Sequence, residues 1–253
     1  MAKITYSKLL GPYGEIEDFY DGGLNLQGEK SSDTKVIYKS TGEDQNKFTI
    51  TGSGFVWDGD VLTAGNITSI TFTTKEGDPY LTIKGGQYTV EEFNNTYVNG
   101  GLEGVEALLV RAKDIVTGSK ISDKIESGDG ADLVRAGAGG DSLNGGTGKD
   151  RLFGDAGNDY IFGGADNDRM TGGGGSDSFH FSSGNGNDVI ADFDAKGGGN
   201  RQDHISLYQG ETFTVLRAGN DTILDFGDGE TLRLLDVKRA DFSVEADVHW
   251  VLP

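Results

Sequence analysis

An aspartate returns every nine residues through the middle of this chain, at Asp123, Asp132, Asp141, Asp150, Asp159, Asp168 and Asp177. Two positions after each stands an apolar residue: Ile125, Val134, Leu143, Leu152, Ile161, Met170 and Phe179. A small, Gly-rich stretch precedes each Asp, and the best copies read Gly145-Gly-Thr-Gly-Lys-Asp-Arg-Leu-Phe153 and Gly154-Asp-Ala-Gly-Asn-Asp-Tyr-Ile-Phe162. A fixed short period is the mark of stacked structural repeats. It admits few folds, because each copy offers one apolar side chain and cannot bury it alone.

The six residues Gly-Gly-x-Gly-x-Asp predict a turn, since glycine tolerates positive φ and close backbone approach. The next three, with the apolar side chain at their centre, predict a short strand. Two copies then make one coil with a strand on each side, and stacked coils place parallel strands about 4.8 Å apart. The expected fold class is all-β: a parallel β-roll around a narrow core of Ile, Val, Leu, Met and Phe. Stacking also puts Asp123, Asp141, Asp159 and Asp177 along one edge, and Asp132, Asp150 and Asp168 along the other. Each edge is a self-repelling column of carboxylates. A hard divalent cation between successive turns removes the repulsion and serves turn carbonyls that have no ladder partner. Ligation by oxygen alone is calcium chemistry rather than zinc or copper. Simple Asx-turns without metal explain the pattern less well, because such turns need no nine-residue register between distant copies.

The pattern Gly-Gly-x-Gly-x-Asp-x-apolar-x over about 118–194 resembles the RTX (repeats-in-toxin) calcium-binding nonapeptide. The resemblance implies several calcium ions, held by the carboxylates of Asp123, Asp132, Asp141, Asp150, Asp159, Asp168 and Asp177. It implies that turn residues, here Gly128, Gly130, Gly137, Gly139, Gly146, Gly148, Gly157 and Gly164, complete the shells through the backbone. The pairs expected to share an ion are Asp132/Asp150, Asp150/Asp168, Asp141/Asp159 and Asp159/Asp177. The copies depart from the pattern in places. Gly118-Ser-Lys-Ile-Ser-Asp123 lacks the inner glycines, Asp155 and Asp166 stand where glycine is expected, and Asp188 with Ile190 forms a displaced last copy.

Three regions are expected: a β-rich domain over 1–112, the roll over 113–199, and a C-terminal cap over 200–253. In the first, glycine thins out; Phe48–Thr51, Phe55–Trp57, Ile67–Thr73 and Tyr80–Ile83 read as strands, and Thr89–Tyr97 reads as a short helix. The span Gly104–Arg111 reads as a helix or a strand leading into the roll. Residues 50–57 and 62–70 resemble N-terminal segments of secreted proteobacterial RTX proteins. In the last region, Asp221–Phe226 and Glu230–Leu235 read as a hairpin about Gly227-Asp-Gly229. The roll's open end needs such a cover, because bare strand edges invite aggregation. Residues 240–253 resemble the C-terminal type I secretion signal of RTX proteins. The start, Met1-Ala-Lys-Ile-Thr-Tyr-Ser-Lys8, lacks the apolar run of a signal peptide, so the expected location is extracellular, reached by type I export.

Composition narrows the function. Acidic residues number 41 against 22 basic, a net charge of −19, which argues against nucleic acid and anionic membranes as partners. No segment approaches a membrane span, so no membrane insertion is expected. Cysteine is absent, excluding disulfides and thiolate catalysis. No His-Glu-x-x-His surrounds His180, His204 or His249, and Gly52-Ser-Gly54 is not a Gly-x-Ser-x-Gly elbow, so the RTX protease and lipase readings both fail. No catalytic residue is assigned. The acidic group Glu15, Glu17, Asp18 and Asp21 reads as a solvated loop. Tyr13, Tyr20, Trp57, Tyr80 and Tyr88 are core residues or a sugar platform. His180, directly after a core Phe, is expected to face outward without a role.

Two function classes remain. One is a non-catalytic secreted calcium-binding protein of the cell surface or matrix, an adhesin or lectin for acidic extracellular polysaccharide. The other is a polysaccharide-modifying enzyme or an accessory module like the repeats attached to alginate epimerases.

Overall fold

The computed structural model describes residues 5–6, 29–32, 35–39, 47–58, 61–73, 79–91, 113–195 and 202–252. The first strands are β1 (Thr5–Tyr6), β2 (Glu29–Ser32), β3 (Lys35–Lys39), β4 (Lys47–Asp58), β5 (Val61–Thr73) and β6 (Pro79–Thr89). The repeats supply β7 (Ile115–Thr117), β8 (Asp123–Glu126), β9 (Leu133–Ala138), β10 (Ser142–Thr147), β11 (Arg151–Ala156), β12 (Tyr160–Ala165), β13 (Arg169–Gly174), β14 (Ser178–His180) and β15 (Asn187–Ile190). After them come β16 (His204–Tyr208), β17 (Thr214–Ala218), β18 (Asp221–Gly227), β19 (Glu230–Leu234), the helix α1 (Val244–Asp247) and β20 (Val248–Val251).

Successive repeat strands fall alternately into two sheets. One runs β1-β8-β10-β12-β14-β16-β20, the other β17-β18-β19-β15-β13-β11-β9-β7-β6-β5-β4-β3-β2. Within each, repeat strands pair in parallel at an offset of two nonapeptides: Leu143 lies opposite Ile161, and Leu152 opposite Met170. The protein is mostly β, and its centre is a parallel β-roll. Ile125, Val134, Leu143, Leu152, Ile161, Met170 and Phe179 are all buried between the sheets. Each such side chain contributes about 1.5–3 kcal/mol by leaving water.

The strands of the N-terminal region form an antiparallel meander from β2 to β6, joined to the roll through β6 and β7. The two expected strands at Phe48–Thr51 and Phe55–Trp57 are one strand, β4. Its register with β5 shifts between Thr51 and Gly52 and again between Ser53 and Val56. Gly54, at φ +66°, accommodates the irregularity, so the glycines bend the strand instead of ending it. Thr89 closes β6, and the helix expected over Thr89–Tyr97 has begun at Val90 and Glu91; its remainder lies outside the described residues. The same holds for Gly104–Arg111 and for Tyr13, Tyr20, Glu15, Glu17, Asp18 and Asp21.

The C-terminal part does more than cover the roll. The hairpin of β18 and β19 forms as expected, but β19 also adds in parallel to β15, with Leu234 opposite Ile190. On the other sheet β16 and β20 add in parallel after β14. Both sheets therefore continue past the last repeat, and Ile205, Leu207, Leu232, Leu234 and Val248 extend the core. The helix α1 is capped by Ser243, whose hydroxyl accepts from the Ala246 N–H, while Asp247 Oδ2 accepts from the Ser243 N–H at 2.6 Å. Among the described residues, no helix is long and apolar enough to cross a membrane.

His180 corrects the sequence reading. It alternates away from the core as expected, yet it is buried. Tyr160, Phe162 and Tyr208 close around its ring at centroid distances of 6.0, 5.2 and 4.8 Å. Neighbouring outward residues at the same level of the stack are aromatic, and that level cannot be read from the local sequence. Tyr88 is likewise no sugar platform: it is buried, and its hydroxyl donates to Asp114 Oδ1 at 3.2 Å.

Candidate metal centre

The aspartates of the period stand where each turn enters its strand, and all are buried. Each column is tied by a regular bond from backbone to side chain. Asp123, Asp141 and Asp159 donate their N–H to Oδ1 of Asp141, Asp159 and Asp177, at 2.8, 2.8 and 2.9 Å. In the other column, Asp132 and Asp150 donate to Oδ1 of Asp150 and Asp168, both at 2.8 Å. All four pairs expected to share an ion are thus brought together.

The columns run longer than the sequence reading had them. Asp114 begins one, its N–H donating to Asp132 Oδ1 at 2.7 Å. Asp188 ends that column, accepting from the Asp168 N–H at 2.9 Å, and Asp203 ends the other, accepting from the Asp177 N–H at 2.9 Å. Asp114 was missed although it stands nine residues before Asp123, with Val116 two positions on. Asp203, with Ile205 two on, was hidden by the longer loop before it.

The second carboxylate oxygen sets most of these residues apart. Oδ2 of Asp132, Asp141, Asp150, Asp159, Asp168, Asp177 and Asp188 is buried with no hydrogen-bond partner. A buried anionic oxygen left unpaired is costly. Four of these oxygens, those of Asp150, Asp159, Asp168 and Asp177, lie over the first glycine of their own repeat. A Cβ on Gly145, Gly154, Gly163 or Gly172 would strike Oδ2 of Asp150, Asp159, Asp168 or Asp177. Those glycines, which the sequence reading did not single out, keep the space above the carboxylate open.

Two members of the columns differ. Asp123 Oδ2 accepts from the Ser119 N–H at 2.7 Å, and Asp203 Oδ2 accepts from the Asp194 N–H at 2.8 Å. The degenerate first copy, lacking the inner glycines, turns its own backbone onto the carboxylate.

The turn glycines Gly128, Gly130, Gly137, Gly139, Gly146, Gly148, Gly157 and Gly164 all have positive φ. Their carbonyls are not uniformly without ladder partners, which corrects the expectation. Thr147 N–H donates to Gly128 O at 2.9 Å, and further up the stack Gly139 and Gly157 donate to Ala156 O and Gly174 O, both at 2.8 Å. The parallel ladder continues through the turns. A carbonyl oxygen has two lone pairs, so one remains after such a bond. Asp155 and Asp166 adopt the glycine conformation, at φ 69° and 81°. The Asp155 carboxylate turns to Arg135, at 2.8 Å.

Electrostatics reinforce the geometry. Burial pushes the carboxyls of Asp132, Asp159, Asp168 and Asp177 up to about 6, against backbone donation that opposes the shift. Asp150 is pushed to about 7 by burial, with the Asp168 and Asp132 charges adding to it. Asp188 rises to about 8 for the same reasons. Among the described residues no three carboxylate or imidazole groups converge on one point. The acids are ranked one above another, so each interval between turns presents two carboxylates beside backbone carbonyls. Orphaned anionic oxygens over glycine-kept space, with oxygen the only donor type, suit a hard divalent cation.

The model of the RTX calcium-binding nonapeptide repeat (4 copies) matches residues 112–143 and 144–179. No curated protein matches the chain. Among solved structures, the extracellular lipase LipA from Serratia marcescens is similar at 17% identity and a TM-score of 0.29, over 56% of this chain and 38% of the lipase. The chain therefore spans well under half of that relative's length. The AlgE6R3 subunit of the Azotobacter vinelandii mannuronan C5-epimerase is similar at 26% identity and a TM-score of 0.36, over 55% of this chain and 79% of that one. The AlgE6R2 subunit of the same epimerase gives 24% and 0.32, over 54% of this chain and 92% of that one. Residues 112–179 of this chain are RTX calcium-binding nonapeptide repeats, wound into a parallel β-roll.

Proposed function

We propose that the chain is a secreted, non-catalytic calcium-binding protein whose repeats fold when calcium enters the two aspartate columns outside the cell. The observation that carries this reading is the row of buried Oδ2 atoms without partners at Asp132, Asp141, Asp150, Asp159, Asp168, Asp177 and Asp188. These carboxylates hold the ions, each pair from successive turns facing one interval. The turn carbonyls, including those of Gly128, Gly130, Gly137, Gly139, Gly146, Gly148, Gly157 and Gly164, supply further oxygens. Asp123 is the weakest member, because Ser119 already occupies its second oxygen. Bound calcium supplies positive charge to columns that otherwise repel themselves.

In a compartment poor in calcium the columns stay charged and unpaired, and the repeats remain unfolded. That state suits passage through a type I channel, a route supported by the resemblance of residues 240–253 to such signals. Outside, folding follows binding, at affinities of about 10⁻⁴–10⁻³ M as is usual for extracellular modules. The absence of the protease and lipase signatures from the sequence supports a binding role at the cell surface or in a matrix, toward acidic polysaccharide.

Circular dichroism of the full chain with chelator and with rising calcium tests this. The expected result is a cooperative gain of β signal with calcium, reversed by chelation. The same folded spectrum in both conditions overturns the reading.

A further inference from the structure

The two sheets have four end strands, β1, β20, β17 and β2, and three of them are blunted. β1 is two residues long, β2 carries Glu29 and Lys30 and loses register between Lys30 and Ser32, and β17 carries Arg217. Short length, charge and irregularity are what keep edge strands from pairing with other chains. β20 has none of these. In a chain of net charge −19, residues 248–252 read Val-His-Trp-Val-Leu, without Asp, Glu, Lys or Arg.

The main chain of β20 is open as well. Val251 O accepts from the Gln209 N–H at 2.9 Å, so the main-chain groups of Val251, and of His249 two residues back, face β16. Alternate residues point the other way. The N–H and C=O of Trp250, the C=O of Val248 and the N–H of Leu252 therefore face the outer edge, where no strand meets them among the described residues. The Val248 N–H is occupied, donating to Val244 O of α1. Val248 and Trp250 lie opposite Ile205 and Leu207, on the core side, yet Trp250 is 44% exposed and Leu252 75%. Phe213 stacks against Trp250 at 6.2 Å between ring centres, which leaves a core-side ring partly bare at the end of the sheet.

We infer that β20 is a homodimerisation edge, pairing antiparallel about a two-fold axis with β20 of a second copy of this chain. Three constraints select that occupant and its register. A two-fold normal to the sheet keeps core side beside core side, so each residue must oppose one of the same facing. The free donors and acceptors belong to Val248, Trp250 and Leu252, so these must form the hydrogen-bonded pairs. Two copies of net charge −19 repel, so the contact must exclude charged residues. All three are met when Trp250 opposes Trp250 of the second copy. These two residues then exchange N–H···O bonds, each Leu252 N–H donates to a Val248 O, and each His249 lies opposite a Val251. Residues 248–252 meet only one another. The contact is small, which places it among weak, reversible dimers. The inference goes beyond the proposed function and needs only the folded roll.

Sedimentation velocity of the full chain in saturating calcium, from about 1 to about 100 μM, tests this. The expected result is a reversible monomer–dimer equilibrium. Leu252→Pro removes one outward N–H from each copy and should weaken association about tenfold or more; Leu252→Ala, which keeps the N–H, should weaken it less. Leu216→Lys, on β17, should leave it unchanged. The register can be read separately, because the chain holds no cysteine. Opposed residues of a non-hydrogen-bonded antiparallel pair stand about 4.5 Å apart between Cα atoms, within disulfide reach, whereas the same residue on the two copies lies out of register and beyond it. A mixture of His249→Cys and Val251→Cys chains should therefore cross-link under oxidised glutathione, and either chain alone should not. Circular dichroism of every variant reads folding. A folded chain that stays monomeric, or that grows into open-ended oligomers, overturns the inference. So does full dimerisation of Leu252→Pro, equal weakening by Leu252→Ala, loss of the dimer in Leu216→Lys, or equal cross-linking of one cysteine chain alone. Each of these leaves the proposed function standing, which falls only if chelation leaves the folded spectrum unchanged.

Discussion

The main-chain N–H of Asp150 donates to Oδ1 of Asp168 at 2.8 Å, two nonapeptides further along. One carboxylate oxygen is thereby spent on joining turns, and the other is left facing the glycine of its own repeat. Under the proposed function, joining and ligation fall to two oxygens of a single side chain, which is why the period demands Asp. Asparagine keeps the joining acceptor and loses the anionic oxygen.

Asp150→Asn therefore has opposite effects in the two states. With calcium, stoichiometry falls and stability drops by about 1–3 kcal/mol, the scale of losing one charged interaction. In chelator the same variant is more stable than the parent, because a buried carboxylate beside those of Asp132 and Asp168 has been removed. Calcium titration calorimetry, thermal melts in calcium and the residual β signal in chelator at neutral pH check the pair of signs. A variant destabilised equally in both conditions would show that Oδ2 carries no ion.

Acid should partly substitute for the metal. The column carboxyls are raised from 3.8 in the unfolded chain to about 6 for Asp159, 7 for Asp150 and 8 for Asp188, chiefly by burial. A carboxyl with a higher pKa folded than unfolded takes up protons on folding. Its stabilisation is full below the lower value and is lost as pH rises through the upper one. In chelator, the roll is expected to be more ordered at about pH 5 than at about pH 8.5, with the loss spread between pH 6 and 8. In saturating calcium the slope reverses, since protons compete for the ligands. Circular dichroism against pH, with and without chelator, gives both curves.

What the sequence made legible follows from which interactions are periodic. Register, core and column all repeat with the nonapeptide, so Leu152 and Asp150 could be placed from one another. Asp203 could not, because the residues between Asp177 and Asp203 outrun the period and only the three-dimensional stack restores the alignment. The burial of His180 depends on Tyr160, one coil back, and on Tyr208, beyond the repeats. The joining of β19 to β15 is equally invisible, since a hairpin signal fixes its own turn and says nothing of the strand it docks beside. The partial closure of Asp123 by Ser119 was foreshadowed by the missing glycines, though not the donor that supplies it.

Glycine substitutions separate conformational cost from collision. Gly148 sits at φ +119°, and a Cβ there would collide with the Gly130 carbonyl oxygen of the coil before. Gly219, in the turn between β17 and β18, has φ +69° with open space around the same position. Gly219→Ala should cost about 1 kcal/mol, the price of a left-handed alanine. Gly148→Ala must in addition push two coils apart, and should exceed it by about 2 kcal/mol or more. Chemical denaturation in saturating calcium compares them; equal losses would mean the turns are looser than the stacked backbone indicates.

The last prediction concerns Leu234, which is fully buried and lies opposite Ile190 at the junction of the repeats and the C-terminal strands. Leu234→Ala removes core contacts without touching a carboxylate, at a cost of about 2–5 kcal/mol. If binding and folding are one equilibrium, as the proposed function has it, a purely structural loss must appear as weaker apparent calcium affinity. The midpoint of the calcium titration should move to higher concentration while the number of ions bound at saturation stays that of the parent. Asp150→Asn should change the number as well. If Leu234→Ala leaves the midpoint where it was, the C-terminal strands are not part of the cooperative unit, and the continuity of both sheets past Asp188 and Asp203 has no energetic consequence.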